Sequence, residues 1–469
     1  MSVTFPGMAQ AMSRFRALDI GGGLHERACR GVVLAAAATL FLHDAATVGV
    51  SYTLRISYAL LALACLFGAP FVLRGWRSAP VGVQLSAALL VLVYLVAGVV
   101  GVNPVVAVGG RGSSARWLVY LLDLGVGLST IGLLLGLFRD GRRVRLLILA
   151  LIVGAVLASI YGLYQWLAQH YGWPLANLDN APNSDNFSTG ARFQGLGLFG
   201  WERVRGTFVE PFAFGIYLAA MLPLLTELFT VHRRRSRLVA WVAALTVVGA
   251  LLVTDSSLAW ASLLVALAVV GAGAFISLGR PLLAGAAAAG SVLLAVLSIA
   301  TLADPGMLSS VTQRSDSQLR LTVGARTDAW SESTAIWSRR PVLGYGPGAS
   351  SVKLARADNA VGVSSAPLVL GSAYGIWAAS LIDGGVLALL AWIVFFSAVL
   401  WHTAAVALRT GSALAWMTIA ALLAAMLASQ VGGDRLDLRV WVLVGVALTA
   451  SRRVVREARD QVGGRSARA

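Results

Sequence analysis

Residues 201–229 read WERVRGTFVEPFAFGIYLAAMLPLLTELF, and this stretch decides the fold that the sequence predicts. From Thr207 onward it is mostly apolar and long enough to cross the hydrocarbon core of a bilayer as a helix. Its first part carries Arg203, Arg205 and, a little further on, Glu210. Charged side chains at the end of a membrane helix are costly unless they are paired or functional. The stretch therefore predicts a membrane helix with a charged site at its entrance.

The composition extends this interpretation to the whole chain. Of the 469 residues, 58% are hydrophobic and only 12% are charged, and the mean hydropathy is +0.78. A soluble domain carries about 25% charged residues, so we expect an all-α polytopic integral membrane protein. The net charge is +16, and because Lys353 is the sole lysine, almost all of the positive charge is arginine. Arginine can bind phosphate through two parallel hydrogen bonds and stays charged when partly buried.

The sequence disfavours several other classes. The basic residues are scattered between apolar stretches and form no stripe beside stacking aromatic residues, so nucleic-acid binding is not expected. Cys29 and Cys65 show neither metal-ligand spacing nor a disulfide pattern. Residues 1–26 lack a signal-peptide layout, because the first long apolar run begins only after Arg30. That run is better interpreted as the first membrane helix.

Apolar runs of the length needed for a helical span recur along the chain. They predict about twelve transmembrane helices. The predicted spans are residues 30–50, 54–74, 80–101, 116–138, 143–168, 207–230, 236–254, 256–277, 281–303, 370–400, 412–431 and 437–451. Charges interrupt the first and the last of them, since His43 and Asp44 lie in one and Arg439 lies at the start of the other.

Arginine in the short loops predicts the orientation, because cytoplasmic loops of membrane proteins carry an excess of Lys and Arg. With twelve spans, the arginines of the N-terminal tail, of alternate short loops and of the C-terminal tail fall on one side, so we expect both termini in the cytoplasm. The expected segments are a cytoplasmic tail at 1–29, helices one to five at 30–168, an outer loop at 169–206, helices six to nine at 207–303, a large outer loop at 304–369, helices ten to twelve at 370–451, and a basic cytoplasmic tail at 452–469.

Both long outer loops carry several arginines, against the positive-inside bias. The larger loop is predicted to be partly helical, from about Thr327 to Arg339, with Pro341 and the turn-rich residues 344–348 closing the helix. A third charged group precedes the last predicted span and is interpreted as a salt-bridged turn. Its members are Asp434, Arg435, Asp437 and Arg439.

Three segments resemble the O-antigen ligase and polymerase family of bacterial membrane glycosyltransferases. The first is Arg205-Gly-Thr-Phe-x-x-Pro-x-Ala213, ahead of a span, and the second is Tyr161-Gly-Leu-Tyr-Gln165, one span earlier. The third, in the large outer loop, is Arg326-Thr-Asp-Ala-Trp330 followed by the Pro-x-x-Gly-x-Gly pattern of residues 340–348. Twelve spans with a large outer loop late in the chain also fit. The resemblance covers about residues 145–400.

The chain departs from the family pattern at two places. The family usually has a His-Asn pair at the end of the large loop, shortly before an acidic-x-Gly segment; here Asp383, Gly384 and Gly385 are present, but the loop contains no histidine. The family also tends to place Ser-Arg-Gly at the turn between the seventh and eighth spans, where this chain has Asp255-Ser-Ser-Leu258. The identity of a general base therefore cannot be carried over.

The resemblance implies transfer of a glycan from undecaprenyl diphosphate to an acceptor sugar at the outer face of the bacterial inner membrane. The acceptor would be a lipid-linked repeat unit for a polymerase or lipid A core for a ligase, and the divergent loops favour a polymerase of surface polysaccharide or exopolysaccharide. No cofactor is expected, and because the outer loops have no Asp-x-Asp pair, arginines would replace a metal ion. Chain-length regulators and flippases are candidate partners.

Charged residues at the outer face are the candidates for binding the diphosphate and for taking the proton. Arg205 and Arg326, then Arg203, are candidates for holding the diphosphate, with interfacial anchoring as the alternative role. Glu210 and Asp383 are candidates for taking the proton from the acceptor hydroxyl, with ion pairing to an arginine as the alternative role for both. Weaker candidates for the base are Asp358, Glu332 and His170.

Two other functions fit a polytopic membrane protein. A transporter or flippase of lipid-linked sugars would place charges deep in several spans, whereas this sequence places them at helix ends and in outer loops. A scaffold subunit of an envelope assembly has no feature that favours it. The sequence therefore favours an enzyme acting at the outer face.

Overall fold

The computed structural model describes residues 22–42, 47–49, 53–101, 113–176, 203–208, 211–229, 234–280, 290, 330–350, 375–428 and 437–466. These residues are helical apart from turns and one short antiparallel hairpin. The elements in chain order are α1 (Gly22–Ala38), β1 (Thr47–Gly49), β2 (Thr53–Arg55), α2 (Ile56–Phe67), α3 (Ala69–Arg77), α4 (Val81–Gly101), α5 (Ser113–Leu137), α6 (Gly141–Tyr171), α7 (Pro211–Met221), a 3-10 turn (Leu222–Leu225), α8 (Thr226–Phe229), α9 (Arg234–Thr254), α10 (Ser257–Ser277), α11 (330–337), α12 (Ile376–Thr410), α13 (Ala413–Ala428) and α14 (Leu438–Ser466).

Seven helices of the described residues are long and apolar enough to cross a membrane. They are α4, α5 from Trp117, α6, the continuous run Pro211–Phe229, α9 from Arg237, α10 from Leu258, and α12. An eighth span results if α2 and α3 are counted together. The protein is therefore an all-α membrane protein in its main body, as predicted. The count of about twelve is not confirmed, and the predicted span 281–303 lies almost wholly outside the described residues.

The first two predicted spans are wrong in detail. Helix α1 ends at Ala38, and strand β1 occupies Thr47–Gly49 inside the predicted span 30–50. The predicted span 54–74 is two helices that meet at Gly68 with a bend of 81°. Pro70 explains the break, because a proline has no N–H to donate to the preceding turn and its ring clashes with that turn. It lies in the first turn of α3, where both defects are tolerated.

Sequence signals at both ends of α6 agree with its observed bounds. The Asp140 side chain accepts a hydrogen bond from the Arg143 N–H at 2.8 Å and caps the N-terminus. Gly172 follows the last turn with φ of 70°, the left-handed conformation that ends many helices, and its N–H donates to the Ala168 carbonyl. The helix is 31 residues long, so it can extend beyond the hydrocarbon core.

Helix ends gather on two opposite faces of the bundle. On one face, the segment before α7 meets the turn between α9 and α10, since the Val204 N–H donates to the Val253 carbonyl at 3.2 Å. On the other face, α14 meets the turn between α5 and α6, since Arg456 Nη1 donates to the Arg139 carbonyl at 2.9 Å. We call these the site face and the arginine face. Each long helix connects one face to the other.

Candidate functional site

The segment 203–208, just before α7, is fixed by hydrogen bonds to three other parts of the chain. The Val204 N–H donates to the Val253 carbonyl at the end of α9. The Thr207 hydroxyl donates to the Phe41 carbonyl beyond α1. In both contacts the partner, Val253 or Phe41, contributes only its backbone carbonyl. The segment therefore has one defined path across the site face.

Gln165 of α6 provides the third attachment. Its side-chain oxygen accepts the backbone N–H of Arg205 at 3.2 Å and that of Gly206 at 2.7 Å, and the residue is completely buried. Gly206 has φ of 59°, and a Cβ there would lie 3.1 Å from the Phe214 ring. The two sequence patterns that end at Gln165 and begin at Arg205 are therefore parts of one structural unit, although 40 residues separate them.

The two arginines of this segment differ in their environment. Arg205 is 4% exposed, which is rare for a charged residue that has no specific role. Arg203 is partly buried, and its Nε donates to the Thr254 carbonyl at 3.4 Å, at the end of α9. Both candidates for holding the diphosphate are thus brought to the site face. The third, Arg326, lies outside the described residues.

The turn after α9 forms the next wall of the site. Asp255 is buried and has φ of 44°, a left-handed conformation that is uncommon for residues other than glycine. Ser256 then caps α10, with its hydroxyl oxygen accepting the Ala259 N–H at 3.4 Å. This turn is where the chain lacks the arginine of the family pattern. It holds a buried carboxylate close in sequence to the Thr254 carbonyl that Arg203 contacts.

Arg439, at the start of α14, was not expected to take part in the site. Its guanidinium carbon lies 4.8 Å from the centroid of the Phe208 ring, and its Nη2 and Nε contact the two Asp437 carboxylate oxygens at 2.6 and 2.7 Å. The pair confirms part of the predicted salt-bridged turn. Its contact with the Phe208 ring is a cation–π interaction. The sequence carried no signal for this contact, because the two residues are 231 positions apart in the chain.

Asp383 belongs to a second cluster, in the first turns of α12. Its Oδ2 accepts the Gly348 N–H at 3.0 Å, its Oδ1 accepts the Ser350 N–H at 2.7 Å, and the residue is 1% exposed. The backbone continues this attachment, because the Gly346 N–H donates to the Asp383 carbonyl at 2.8 Å. We call residues 341–350 the glycine loop. Asp383 holds it against α12.

A kink in α12 makes room for the glycine loop. Gly385 has φ of 66° and ψ of −162°, which interrupts the helix, and a Cβ there would overlap the Val342 carbonyl oxygen. The Val386 N–H, which has left the regular helix pattern, donates instead to the Pro341 carbonyl at 2.8 Å. Residue 385 must therefore be glycine for two reasons, its backbone conformation and its contact distance.

Helix α11, at residues 330–337, confirms the core of the helix predicted from about Thr327 to Arg339. Trp330 and Ile336 of this helix pack with Tyr345 against the start of α12. The Trp337 indole N–H donates to the Pro341 carbonyl at 3.0 Å, and the Arg340 guanidinium lies 5.0 Å from the Tyr345 ring centroid. Helix and glycine loop thus form one small layer on the site face.

The remaining candidates for the base are located as follows. Glu332 is partly exposed on α11. His170 stacks on Trp166 at the end of α6 and meets Tyr171 edge-on, with ring centroids 6.3 and 4.9 Å away. Glu210 and Asp358 lie outside the described residues. In the described part of the chain no three His, Cys, Asp or Glu side chains are grouped as a metal site would require.

These features define a polytopic helical membrane protein with a charged, glycine-rich site at one end of its bundle. Residues 241–393 match the family model described as O-antigen ligase, which confirms the resemblance to the O-antigen ligase and polymerase family. The match covers about a third of the chain, from α9 into α12, and includes the Asp255 turn, the glycine loop and Asp383. The segment 203–208 and Gln165 precede it. No curated protein matches the chain.

Proposed function

We propose that the protein transfers a glycan from undecaprenyl diphosphate to an acceptor sugar, as a membrane glycosyltransferase of the O-antigen ligase and polymerase type. One observation supports this most directly. The arginine-bearing segment 203–208 contacts the end of α9 through the Val253 and Thr254 carbonyls, inside the stretch that matches the family model. Two features that are distant in the sequence, an arginine segment and the stretch that matches the family model, are therefore in contact, which supports the proposal of one site.

In the proposed reaction, arginine side chains rather than a metal ion stabilise the leaving group. An acceptor hydroxyl oxygen forms a bond to the anomeric carbon of the donor sugar, and the bond from that carbon to the diphosphate oxygen breaks. The electron pair of the broken bond leaves with the lipid diphosphate, and the hydroxyl proton goes to a base. Guanidinium groups held in place before the reaction stabilise the leaving charge. We assign this role to Arg205 and Arg326, and then to Arg203.

We propose Glu210 as the base, five residues after Arg205 and immediately before α7. Asp383 was the other candidate from the sequence, and its contacts favour a different part in the reaction. Each of its carboxylate oxygens already accepts a backbone N–H of the glycine loop. We therefore propose Asp383 as a positioning residue that sets the shape of the loop, while Glu210 takes the proton.

The orientation is proposed from the two faces of the bundle. Short loops and the end of α14 carry their arginines to the arginine face, which the positive-inside rule assigns to the cytoplasm. The site face would then be the outer side of the bacterial inner membrane, where the acceptor sugar and the donor meet. The acceptor is proposed to be a second lipid-linked glycan, which makes the protein a polymerase.

A reconstituted assay tests the proposal. Purified full-length protein is mixed with a lipid-linked oligosaccharide, and released undecaprenyl diphosphate and lengthened glycan are measured with and without a metal chelator. We expect turnover that survives chelation and falls about 100-fold or more in Arg205→Ala and Arg326→Ala. Arg237→Ala, an exposed arginine near the start of α9, is the matched control and should retain activity.

The assay also separates the rival functions. Transfer to lipid A core but not to a second lipid-linked glycan would indicate a ligase. Movement of the donor across vesicles without glycan lengthening would indicate a flippase and contradict the proposal. Unchanged turnover in both arginine variants would refute the assignment of the site while leaving the reaction itself standing.

A further inference from the structure

The arginine face carries a compact group of four cations, which we call the arginine patch: Arg74, Arg139, Arg452 and Arg456. Three of its members are connected through neutral oxygen atoms. Arg139 Nε donates to the Gly136 carbonyl at 2.7 Å, and Arg456 Nη1 donates to the Arg139 carbonyl at 2.9 Å. Arg452 Nη1 donates to the Ser78 hydroxyl at 2.7 Å. The patch thus joins α3, the end of α5 and the basic half of α14.

The acidic residues nearby are engaged elsewhere. Glu26 pairs with Arg30 and Arg143, each at 2.5 Å, and Glu457 pairs with Arg453 at 2.8 Å. Within the described part of the chain, Arg139, Arg452 and Arg456 form no ion pair, and Arg139 Nη2 is buried without a hydrogen-bond partner. These three arginines therefore concentrate positive charge that no ion pair among the described residues neutralises.

Burial and neighbouring cations both lower the pKa of two members of the patch, Arg139 and Arg452. Burial lowers the pKa of Arg139, the neighbouring Arg74 lowers it further, and Glu26 only partly opposes the two. Burial and the neighbouring Arg456 and Arg139 lower the pKa of Arg452. Placing an anion among these guanidinium groups would relieve their mutual repulsion.

An apolar groove begins next to the patch. It has a volume of about 420 Å³ and lies between α3, α4 and α5, with Trp76, Ala88, Val91, Leu95 and Leu128 among its lining residues. The Trp76 indole N–H donates to the Leu128 carbonyl at 3.1 Å, which fixes the ring at the mouth of the groove. Trp76 is two residues before Ser78, the hydroxyl that Arg452 contacts. Cations and groove therefore meet at one end of α3.

The direction of α3 fits a position at the headgroup level. It is bent by 81° from α2, carries Arg74 and Arg77 in its last turn, and buries Phe71 and Gly75 against the bundle. A short amphipathic helix with exposed arginines and a tryptophan is typical of the membrane interface. A lipid beside it would present its phosphate to the arginines and its acyl chains to α4.

We propose that the arginine patch and the groove beside Trp76 form a binding site for an anionic phospholipid. The phosphodiester is held by the guanidinium groups, and one acyl chain lies along α4 in the groove. Free phosphate would satisfy the cations but leave the apolar groove without an occupant, so a lipid fits both features. The site is on the opposite face from the glycan-transfer site and does not depend on that proposal.

Binding of phosphatidylglycerol to the full-length protein in neutral detergent tests the site, with phosphatidylcholine of the same acyl chains as the zwitterionic comparison. Lipid retained per protein is counted by native mass spectrometry across a titration. We expect Arg139→Gln combined with Arg452→Gln to weaken phosphatidylglycerol binding about tenfold to thirtyfold, from the loss of two cations near the headgroup. The matched control combines Arg237→Gln with Arg409→Gln. Both arginines are exposed, one near the start of α9 and the other in the last turn of α12.

Two further variants separate the parts of the site. Ala88→Phe fills the groove at a position that is exposed, and it should weaken phosphatidylglycerol binding without changing the patch. Arg74→Gln removes an exposed cation of the patch and leaves Arg452 and Ser78, the hydrogen-bonded pair between α14 and the end of α3, unchanged, so it tests the charge if the double variant does not fold.

Three results would overturn the proposal. Equal loss of binding in the patch and control pairs would indicate a diffuse effect of net charge. Displacement of the lipid by millimolar inorganic phosphate at constant ionic strength, together with normal binding in Ala88→Phe, would indicate an anion site only. Equal retention of phosphatidylcholine would indicate ordinary boundary lipid.

Discussion

Replacing Gln165 with leucine should disconnect the arginine segment from α6. The side-chain oxygen of Gln165 is the acceptor for the backbone N–H groups of Arg205 and Gly206, at 3.2 and 2.7 Å, in a fully buried position. Leucine has a similar size but no acceptor, so both donors lose their partner. An unsatisfied buried donor costs about 1–3 kcal/mol. The segment must either bear that cost or move away from the site geometry.

The expected loss of activity follows from the same numbers. If about 2 kcal/mol of the cost is transferred to the placement of Arg205 in the transition state, turnover falls about 30-fold. The reconstituted glycan-transfer assay measures this directly. Hydrogen exchange followed by mass spectrometry measures the release of the segment from α6 independently of activity. The amides of residues 203–208 should exchange faster in the variant.

Gln169→Leu is a matched control on the same helix. Within the described part of the chain, neither amide atom of Gln169 has a hydrogen-bond partner although both are buried, so this substitution removes no bond. It should leave turnover and exchange within about twofold of the parent protein. Equal behaviour of Gln165→Leu and Gln169→Leu in both measurements would refute the reasoning about the acceptor.

Three other substitutions test the remaining parts of the site. Asp383→Asn should lower turnover about tenfold and increase proteolysis of the glycine loop, because one carboxylate oxygen becomes an NH₂ group that cannot accept a loop N–H; normal proteolysis with lost turnover would instead favour a direct role in proton transfer. Gly385→Ala should lower the midpoint of thermal unfolding far more than Gly279→Ala. Both glycines have positive φ, but only a Cβ at 385 meets other atoms. Equal shifts in the two variants would show that the backbone moves enough to remove the overlap with Val342. Glu210→Gln should reduce turnover by about 100-fold or more with donor binding retained, and a loss of donor binding alone would assign Glu210 to holding an arginine.

Much of the helical fold could be predicted from the sequence, because apolar runs and capping residues act locally. Asp140 and Gly172 mark the ends of α6, and the Pro341 region marks the end of α11. The break at Gly68 was also within reach, since Pro70 stands inside the predicted span 54–74. A count of apolar residues does not register a proline, so it predicts one unbroken span there.

The candidate site was predicted only in part, because its contacts join distant segments. Arg205 and Gln165 each belong to a sequence pattern, yet the hydrogen bond between them depends on how α6 packs beside α7. Arg439 could not be placed over Phe208 from the sequence, because no local pattern encodes that contact. In the sequence, Asp383 is an acidic residue directly before two glycines. The sequence pattern does not show that its carboxylate accepts two N–H groups of the glycine loop.

The attachment of the glycine loop to Asp383 also has a consequence for biogenesis. Its N–H donors at residues 346, 348 and 350 precede their acceptor by 33 to 37 positions in the chain. During synthesis the loop therefore emerges before the helix that will hold it, and water must hydrate its amide groups until α12 is inserted. Insertion of α12 past its kink then brings Asp383 to the loop and expels that water. The glycine loop can thus form its final hydrogen bonds only after α12 and its buried carboxylate are in place.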